Sequence, residues 1–448
     1  LDVVGGFTMQ RSSSEGDGYV SILLPDEVLG IRGLGQGTVL SKNMSGSYAT
    51  LVSFLGRINY TFNSRYLFTA SFRSDGSSKF APKNRWGYFP SGAFAWNIGE
   101  EKFLKNIKAV SAAKLRLSYG ITGNNRVSDF AYLSVLDQEV GANTGNTRSG
   151  YYFNGVYIKG TVPVMVGNDN LKWERTGNLD LGLDFSLFNE RLSVTTDYYY
   201  KRTTDLLLNA SLATSTGYLN AYKNIGVVVN KGLEFTLNTV NVNTKRFNWT
   251  SNFNIAFNIN KIEELNGDQP SLITRVTNWN ANFNNSLPYI ALPGRQVALF
   301  YGYVFDGLYP LSDFNVLSNG GYELKAEVPN NGSARSVIKP GFIKYKDING
   351  DGVVDANDQT IIGNPNPKHI GGFSNNFRYG QFDLNVFLQW SYGNDILNAN
   401  RIVLEGAEAR PSLNMFKTYE NRWSLDNQNS ILPVAGGYGP NVFSNRNI

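Results

Sequence analysis

The feature that most constrains this chain is a two-residue alternation of apolar and polar side chains, sustained over segments of about ten residues. Phe247, Trp249, Phe253, Ile255, Phe257 and Ile259 alternate with Asn248, Thr250, Asn252, Asn254, Asn258 and Asn260. The pattern recurs as Leu179, Leu181, Leu183 and Phe185 against Asp180, Gly182 and Asp184, and as Leu192, Val194, Tyr198 and Tyr200 against Ser193, Thr195 and Asp197. It recurs again as Phe382, Leu384, Val386, Leu388 and Trp390 against Asp383, Asn385 and Gln389. Successive side chains of an extended chain point to opposite faces, so each segment is a strand with one greasy and one polar face. Strands of soluble sandwiches alternate too, but they run about 5–6 residues. A strand that crosses a bilayer at a tilt of about 45° needs about 9–11 residues, the length seen here. Aromatic residues gather near strand ends, at Trp86, Tyr88, Phe89, Trp173, Tyr198, Tyr199, Tyr200, Trp390 and Tyr392. That placement is expected of an interfacial girdle.

Connection lengths point the same way, because membrane barrels alternate short turns on one side with long loops on the other. Short turns are predicted at Asn63-Ser64-Arg65, Phe188-Asn189-Glu190, Asn241 to Lys245 and Gly380, and these form the periplasmic side. Long polar connections are predicted at 10–49, 74–86, 122–171, 206–225, 261–371 and 393–448, on the extracellular side. The connection from Gly99 to Ala113 is of intermediate length and is expected to hold a brief helix. The expected fold is therefore an all-β transmembrane antiparallel β-barrel, partial, with about 11 strands and long extracellular loops, and residues 1–448 all belong to it. An open sheet edge cannot face lipid, so further strands are expected from residues outside this sequence.

Composition excludes several alternatives. The absence of cysteine removes disulfides, zinc-thiolate sites, iron–sulfur clusters and Cys nucleophiles. His369 is the single histidine and reads as an ordinary strand or loop residue, so no catalytic site is expected. The net charge of +5 comes from scattered basic residues without a run, which gives nucleic-acid binding no support. No stretch of about 18 apolar residues is present, so a helical membrane span is not expected. Asp75-Gly76-Ser77-Ser78 lacks the spacing of a phosphate-binding loop and reads as a loop tip, while Glu100 and Glu101 read as surface charge.

One constellation carries chemistry. Asp347, Asn349, Asp351, Asp355 and Asp358 occupy positions 1, 3, 5, 9 and 12 of a twelve-residue loop, with Gly352 at position 6 and the Val353 carbonyl at position 7. This is the EF-hand calcium spacing, in which hard oxygen ligands surround a cation and glycine permits the sharp turn. Asp358 stands where a longer Glu usually binds through both oxygens. The expectation is a structural Ca2+ held by Asp347, Asn349, Asp351, Val353, Asp355 and Asp358 within the 261–371 loop. The competing account is an Asx-rich turn closed by its own hydrogen bonds.

Six blocks in sequence order resemble the SusC/RagA family of TonB-linked outer-membrane proteins. They are DGSSKFAPKNRWGYFPSGAFAW at 75–96, KLRLSYGITGN at 114–124, NDNLKWERT at 168–176, DYYYKRTTDLLL at 197–208, NIGVVVNKGLEFTL at 224–237 and YKDINGDGVVDANDQTIIGNPNPKHIGGFSNNFRYGQFDLNVFLQW at 345–390. The resemblance implies a barrel of about 22 strands around an N-terminal plug. It also implies a TonB box that draws energy from the inner membrane, and a SusD-like surface lipoprotein that lids the pore. The function so implied is active import of a large nutrient, a glycan or a peptide, across the bacterial outer membrane. A passive porin or a surface adhesin barrel is the alternative. The plug, TonB box and early strands are expected before Leu1, and final strands after Ile448.

Overall fold

The computed structural model describes residues 1–448 except 27, 29, 139–149, 160, 213, 217, 219, 268, 275–286, 406–413 and 437–442. Its largest element is a sheet of eleven strands: β1 (Asp2–Ile22), β2 (Thr38–Phe62), β3 (Tyr66–Ser77), β4 (Trp86–Trp96), β5 (Val110–Asn124), β6 (Glu174–Leu187), β7 (Leu192–Thr204), β8 (Val227–Asn243), β9 (Phe247–Glu264), β10 (His369–Tyr379) and β11 (Phe382–Tyr392). They lie side by side in sequence order. Pairing is antiparallel from β1 with β2 through to β7 with β8. The strand count matches the alternation, and the short turns at 63–65, 188–190 and 380 fall where they are predicted; the one expected from Asn241 to Lys245 lies at 244–246, because Asn241 to Asn243 still belong to β8. Asn63, Ser64, Phe188, Asn189, Glu190 and Gly380 adopt positive φ at those turns. In the connection after β4, a 3-10 turn at Ile98–Glu100 leads into the expected brief helix, Lys102–Lys105.

The chain divides into two compact units, Leu1–Asn252 with Asn376–Leu384, and Phe253–Asn375 with Asn385–Ile448. In the first unit, β1 and β2 continue well beyond the alternating region. Ser12 to Gly18 pair with Asn43 to Ala49, so most of the polar stretch at 10–49 is ladder and not loop. Backbone hydrogen bonds carry this hairpin; its Ser- and Gly-rich sequence has no apolar face to reveal it. Asp75 and Ser77 are likewise strand residues, 8% and 1% exposed, and not the loop tip expected.

Near its far end β4 parts from β5, since their pairing stops at Ser91 and Gly120. Phe89 and Trp173 fill the gap, packed with Phe80, Val127, Ala131 and Leu171. Glycine is required at this close approach: a Cβ on Gly123 would run into the Phe89 ring. Phe89 and Trp173 are therefore core residues, 7% and 5% exposed, and not members of an interfacial girdle. Truncating Trp173 to Ala should cost about 3–5 kcal/mol. Trp86 and Tyr88 do stay exposed, stacked on Phe54 and Phe72.

In the second unit, the described residues of the 261–371 stretch form small sheets around two cores. Four short strands, Leu272–Thr274, Tyr289–Ala291, Leu299–Gly302 and Thr360–Gly363, form one sheet. Phe305–Leu308 pairs with Ile343–Tyr345, and Phe314–Val316 pairs with Tyr322–Leu324. One core joins Tyr303, Ile343, Tyr345 and Val354, and the other joins Tyr309, Phe314, Leu324 and Ile338. Burial pushes the Tyr309 and Tyr345 hydroxyls well above the usual phenol range.

Candidate functional site

The polar faces of the long strands carry an ordered network. Arg116 on β5 donates to both oxygens of Asp184 on β6, at 2.8 and 3.0 Å, and to Asp197 on β7 at 2.7 Å. Thr195 adds a hydroxyl donor to Asp184 at 3.2 Å. The guanidinium reaches across β6 because residue 182 is glycine: Gly182 is paired with Arg116 on one side and Asp197 on the other. A Cβ there would collide with both side chains. Closer to the other edge, Arg73 forks onto both oxygens of Asp75, at 2.7 and 2.9 Å, and reaches the Ser53 hydroxyl at 3.1 Å. A cavity of about 620 Å³ lies here, lined by Ser71, Arg73, Asp75, Ser91, Asn125 and Asn178 beside Phe89 and Trp173. The buried Asn178 Oδ1 has no hydrogen-bond partner among the described residues.

The opposite faces are apolar. On β9, β10 and β11 the Phe253 ring meets Phe373 and Trp390, and Trp249 stacks on Phe377. The amides take the other face, where Asn385 donates to the Ser374 hydroxyl and Asn254 lies beside Gly372. His369 sits on the apolar face between Phe257 and Tyr392, its Nδ1 accepting from the Trp390 indole at 3.2 Å. It is a member of an aromatic cluster.

The 347–358 loop follows the short strand Ile343–Tyr345 and closes on itself. Asp347 accepts from the Gly350 and Gly352 amides, each at 2.7 Å, and Gly352 takes φ +82°, as its position in the turn requires. Asn349 accepts from the Asp351 amide and donates to the Asp351 carboxylate, which in turn accepts from Val353. Asp355 and Asp358 form a capping box around the 3-10 turn Ala356–Asp358. Asp358 is 0% exposed, and its two oxygens accept from the amides of Ile348, Asn349 and Asp355. Asp347, Asn349 and Asp351 thus share one turn, Val353 is exposed at its edge, and Asp355 and Asp358 serve the backbone. Among the described residues no three acidic or histidine side chains converge as metal ligands would. Val354 anchors the loop, buried in the Tyr303 core with its amide on Asn330.

Sequence reasoning missed Glu101. It is no idle surface charge: it accepts from Arg65, the Tyr66 hydroxyl and the Trp96 indole, tying the 63–65 turn to the next connection. Those indole and hydroxyl bonds hold its carboxyl below the usual range. The signal was non-local, since its partners lie up to 36 residues away.

Residues 6–400 match the family described as TonB dependent receptor-like, beta-barrel. TonB-dependent receptor P3 of Formosa agariphila is 34% identical over 97% of this chain and 40% of its own length. TonB-dependent receptor SusC of Bacteroides thetaiotaomicron is 35% identical over 77% of this chain and 31% of its own length. The chain therefore spans between about a third and two fifths of the length of the curated relatives it matches. Among solved structures, the RagAB peptide importer in its open-open state superposes with a TM-score of 0.74 at 22% identity, covering 98% of this chain and 44% of that one. At that identity the likeness speaks for the fold. Apolar and polar faces on long antiparallel strands thus have their explanation in an outer-membrane wall, lipid on one side and lumen on the other, and the chain belongs to the TonB-dependent receptor β-barrel family as a SusC/RagA-like partial barrel.

Proposed function

We propose that this chain forms much of the wall of an active importer, which draws a large nutrient, a glycan or a peptide, across the outer membrane. The observation that carries the reading is the lumenal face, with its Arg116–Asp184–Asp197 network and the cavity beside Asn178, in a chain of this family. The charges there are paired with one another, and the hydroxyl and amide groups beside them suit a polar chain such as a glycan or a peptide. The short turns face the periplasm and the long connections the medium. Energy comes from TonB through a region outside this chain, and a SusD-like surface lipoprotein closes the outer mouth. The relatives are named as receptors and not as enzymes, in keeping with a role without catalysis.

The test is growth of a strain lacking the gene on oligosaccharides or peptides of increasing length as sole carbon or nitrogen source, with TonB intact or disrupted. Loss of growth on one class in both the gene and the TonB mutants is expected. Uptake that persists without TonB would make the protein a passive porin. Undiminished uptake with weakened surface attachment would make it an adhesin.

A calcium-like ion at 347–358 is a second part of this reading, with Asp347, Asn349, Asp351, Asp355, Asp358 and the Val353 carbonyl as ligands. Its support is the ligand spacing around Gly352; the amide cage about Asp347 and Asp358 supports the metal-free turn. Extracellular loops of this kind bind at about 10⁻⁴–10⁻³ M. Calcium titration calorimetry on the full-length protein and on Asp351→Ala separates the two, since heat in that range that disappears in the variant requires the ion.

A further inference from the structure

The apolar face of β2 to β6 is notched. Strand register sets Ile58, Ala70, Gly92, Tyr119 and Leu179 opposite one another in a single row across five strands. The next apolar row toward the short turns reads Tyr60, Phe68, Phe94, Leu117 and Leu181. On the other side, Phe72 stands opposite Pro90. Ala70 and Gly92 are thus side by side, with Phe72 above them and Phe68 and Phe94 below. The result is a groove of about 480 Å³ whose walls are Ile58, Tyr60, Phe68, Phe94, Leu117 and Tyr119. Among the described residues no charged side chain lines it. A Cβ on Gly92 would meet nothing nearer than the Thr69 carbonyl oxygen at 3.9 Å, so this part of the chain leaves the groove open.

We propose that the groove holds one acyl chain of an outer-membrane phospholipid. It is continuous with the lipid-facing surface of the barrel, so hydrocarbon reaches it without crossing a polar rim. Ala70 lies four residues into β3. At about 3.4 Å per residue and a tilt of about 45°, this is roughly 10 Å from the short-turn end, inside an apolar band about 25 Å tall. The groove spans four strand spacings, roughly 19 Å, and is one side chain deep. An unbranched, flexible chain conforms to such a notch. A protein partner needs a complementary surface of about 800 Å² on each side for stable docking. The assignment is independent of what the barrel transports.

The test places the full-length protein in phospholipid vesicles containing a phosphatidylethanolamine with a nitroxide near the end of one acyl chain. The spectrum separates motionally restricted from fluid lipid. Gly92→Leu and Ala70→Leu fill the groove from either strand, and Leu183→Phe alters the same face outside it. The wild type and Leu183→Phe should hold one more restricted lipid per protein than either groove variant. Heat-modifiable migration verifies assembly, and Ala70→Leu alone carries the comparison where Gly92→Leu does not assemble. Equal restricted lipid in all four proteins would overturn the proposal. So would a Gly92→Leu protein that loses self-association in native mass spectrometry with its restricted lipid unchanged, which would give the groove to a second copy of the chain.

Discussion

Asn254 and Ile255 are neighbours on β9, at nearly the same depth, yet the structure sends them to opposite faces, which makes an arginine at each a direct test of the wall. Ile255 shares its face with Phe253, whose ring meets Phe373 and Trp390, while the Asn254 amide lies beside Gly372 on the polar side. Ile255 is eight residues from Phe247, where the strand leaves its short turn. At about 3.4 Å per residue and a tilt of about 45° this is roughly 19 Å above the turn, or about 6 Å past the centre of an apolar band about 25 Å tall. A lipid-facing Arg costs about 2–4 kcal/mol at the midplane and less toward the interface, so Ile255→Arg should cost about 2 kcal/mol. That is about a 30-fold fall in the folding equilibrium constant. Asn254→Arg, with water available in the lumen, should cost well under 1 kcal/mol. The measurement is urea unfolding of the full-length protein in phospholipid vesicles, followed by tryptophan fluorescence. Equal losses in the two variants would mean that the faces assigned to β9 are wrong, and with them the lumenal network and the lipid groove.

Three further outcomes follow from particular contacts. Single cysteines at Ser64, Asn189 and Gly380 should resist an impermeant maleimide on intact cells, whereas a cysteine at Ser333 should label; labelling at Ser64 would reverse the topology. Gly182→Val should force Arg116 off Asp197, removing a charge-assisted bond worth about 1.5–3 kcal/mol, reduced because both side chains are partly exposed to water. Urea midpoints would read it, and Gly182→Val combined with Asp197→Asn should cost little more than either alone. Glu405 is held below the ordinary carboxylate range: burial opposes ionisation, but the Thr418 hydroxyl and Arg401 outweigh it. Its stabilisation is therefore complete above the unfolded-state value of about 4.3 and disappears as pH falls through the lowered one. Protection factors of the Ala399–Leu404 amides, corrected for the intrinsic pH dependence of exchange, should fall over that acidic range in the wild type and stay constant in Glu405→Gln.

The sequence alone determined the strands of the wall where they face lipid, because alternation is a property of consecutive residues and each such strand must present one apolar face. It also set most of the short turns, a brief helix somewhere between Gly99 and Ala113, and the Asp347 to Asp358 spacing with Gly352 at its sixth position. The polar hairpin of β1 and β2 was hidden, because a strand beyond the membrane has no lipid face and its ladder bonds leave no mark on side-chain order. The 261–371 stretch read as a loop for a related reason: its strands, such as Phe314–Val316, are too short to show a period. Only tertiary structure decided that Phe89 and Trp173 are core, that Arg116 reaches Asp197 across Gly182, and that Ala70 meets Gly92 to open a groove. Each depends on register, which places residues from separate strands at one level. Register is fixed by pairing across the sheet, so no window of consecutive residues contains it.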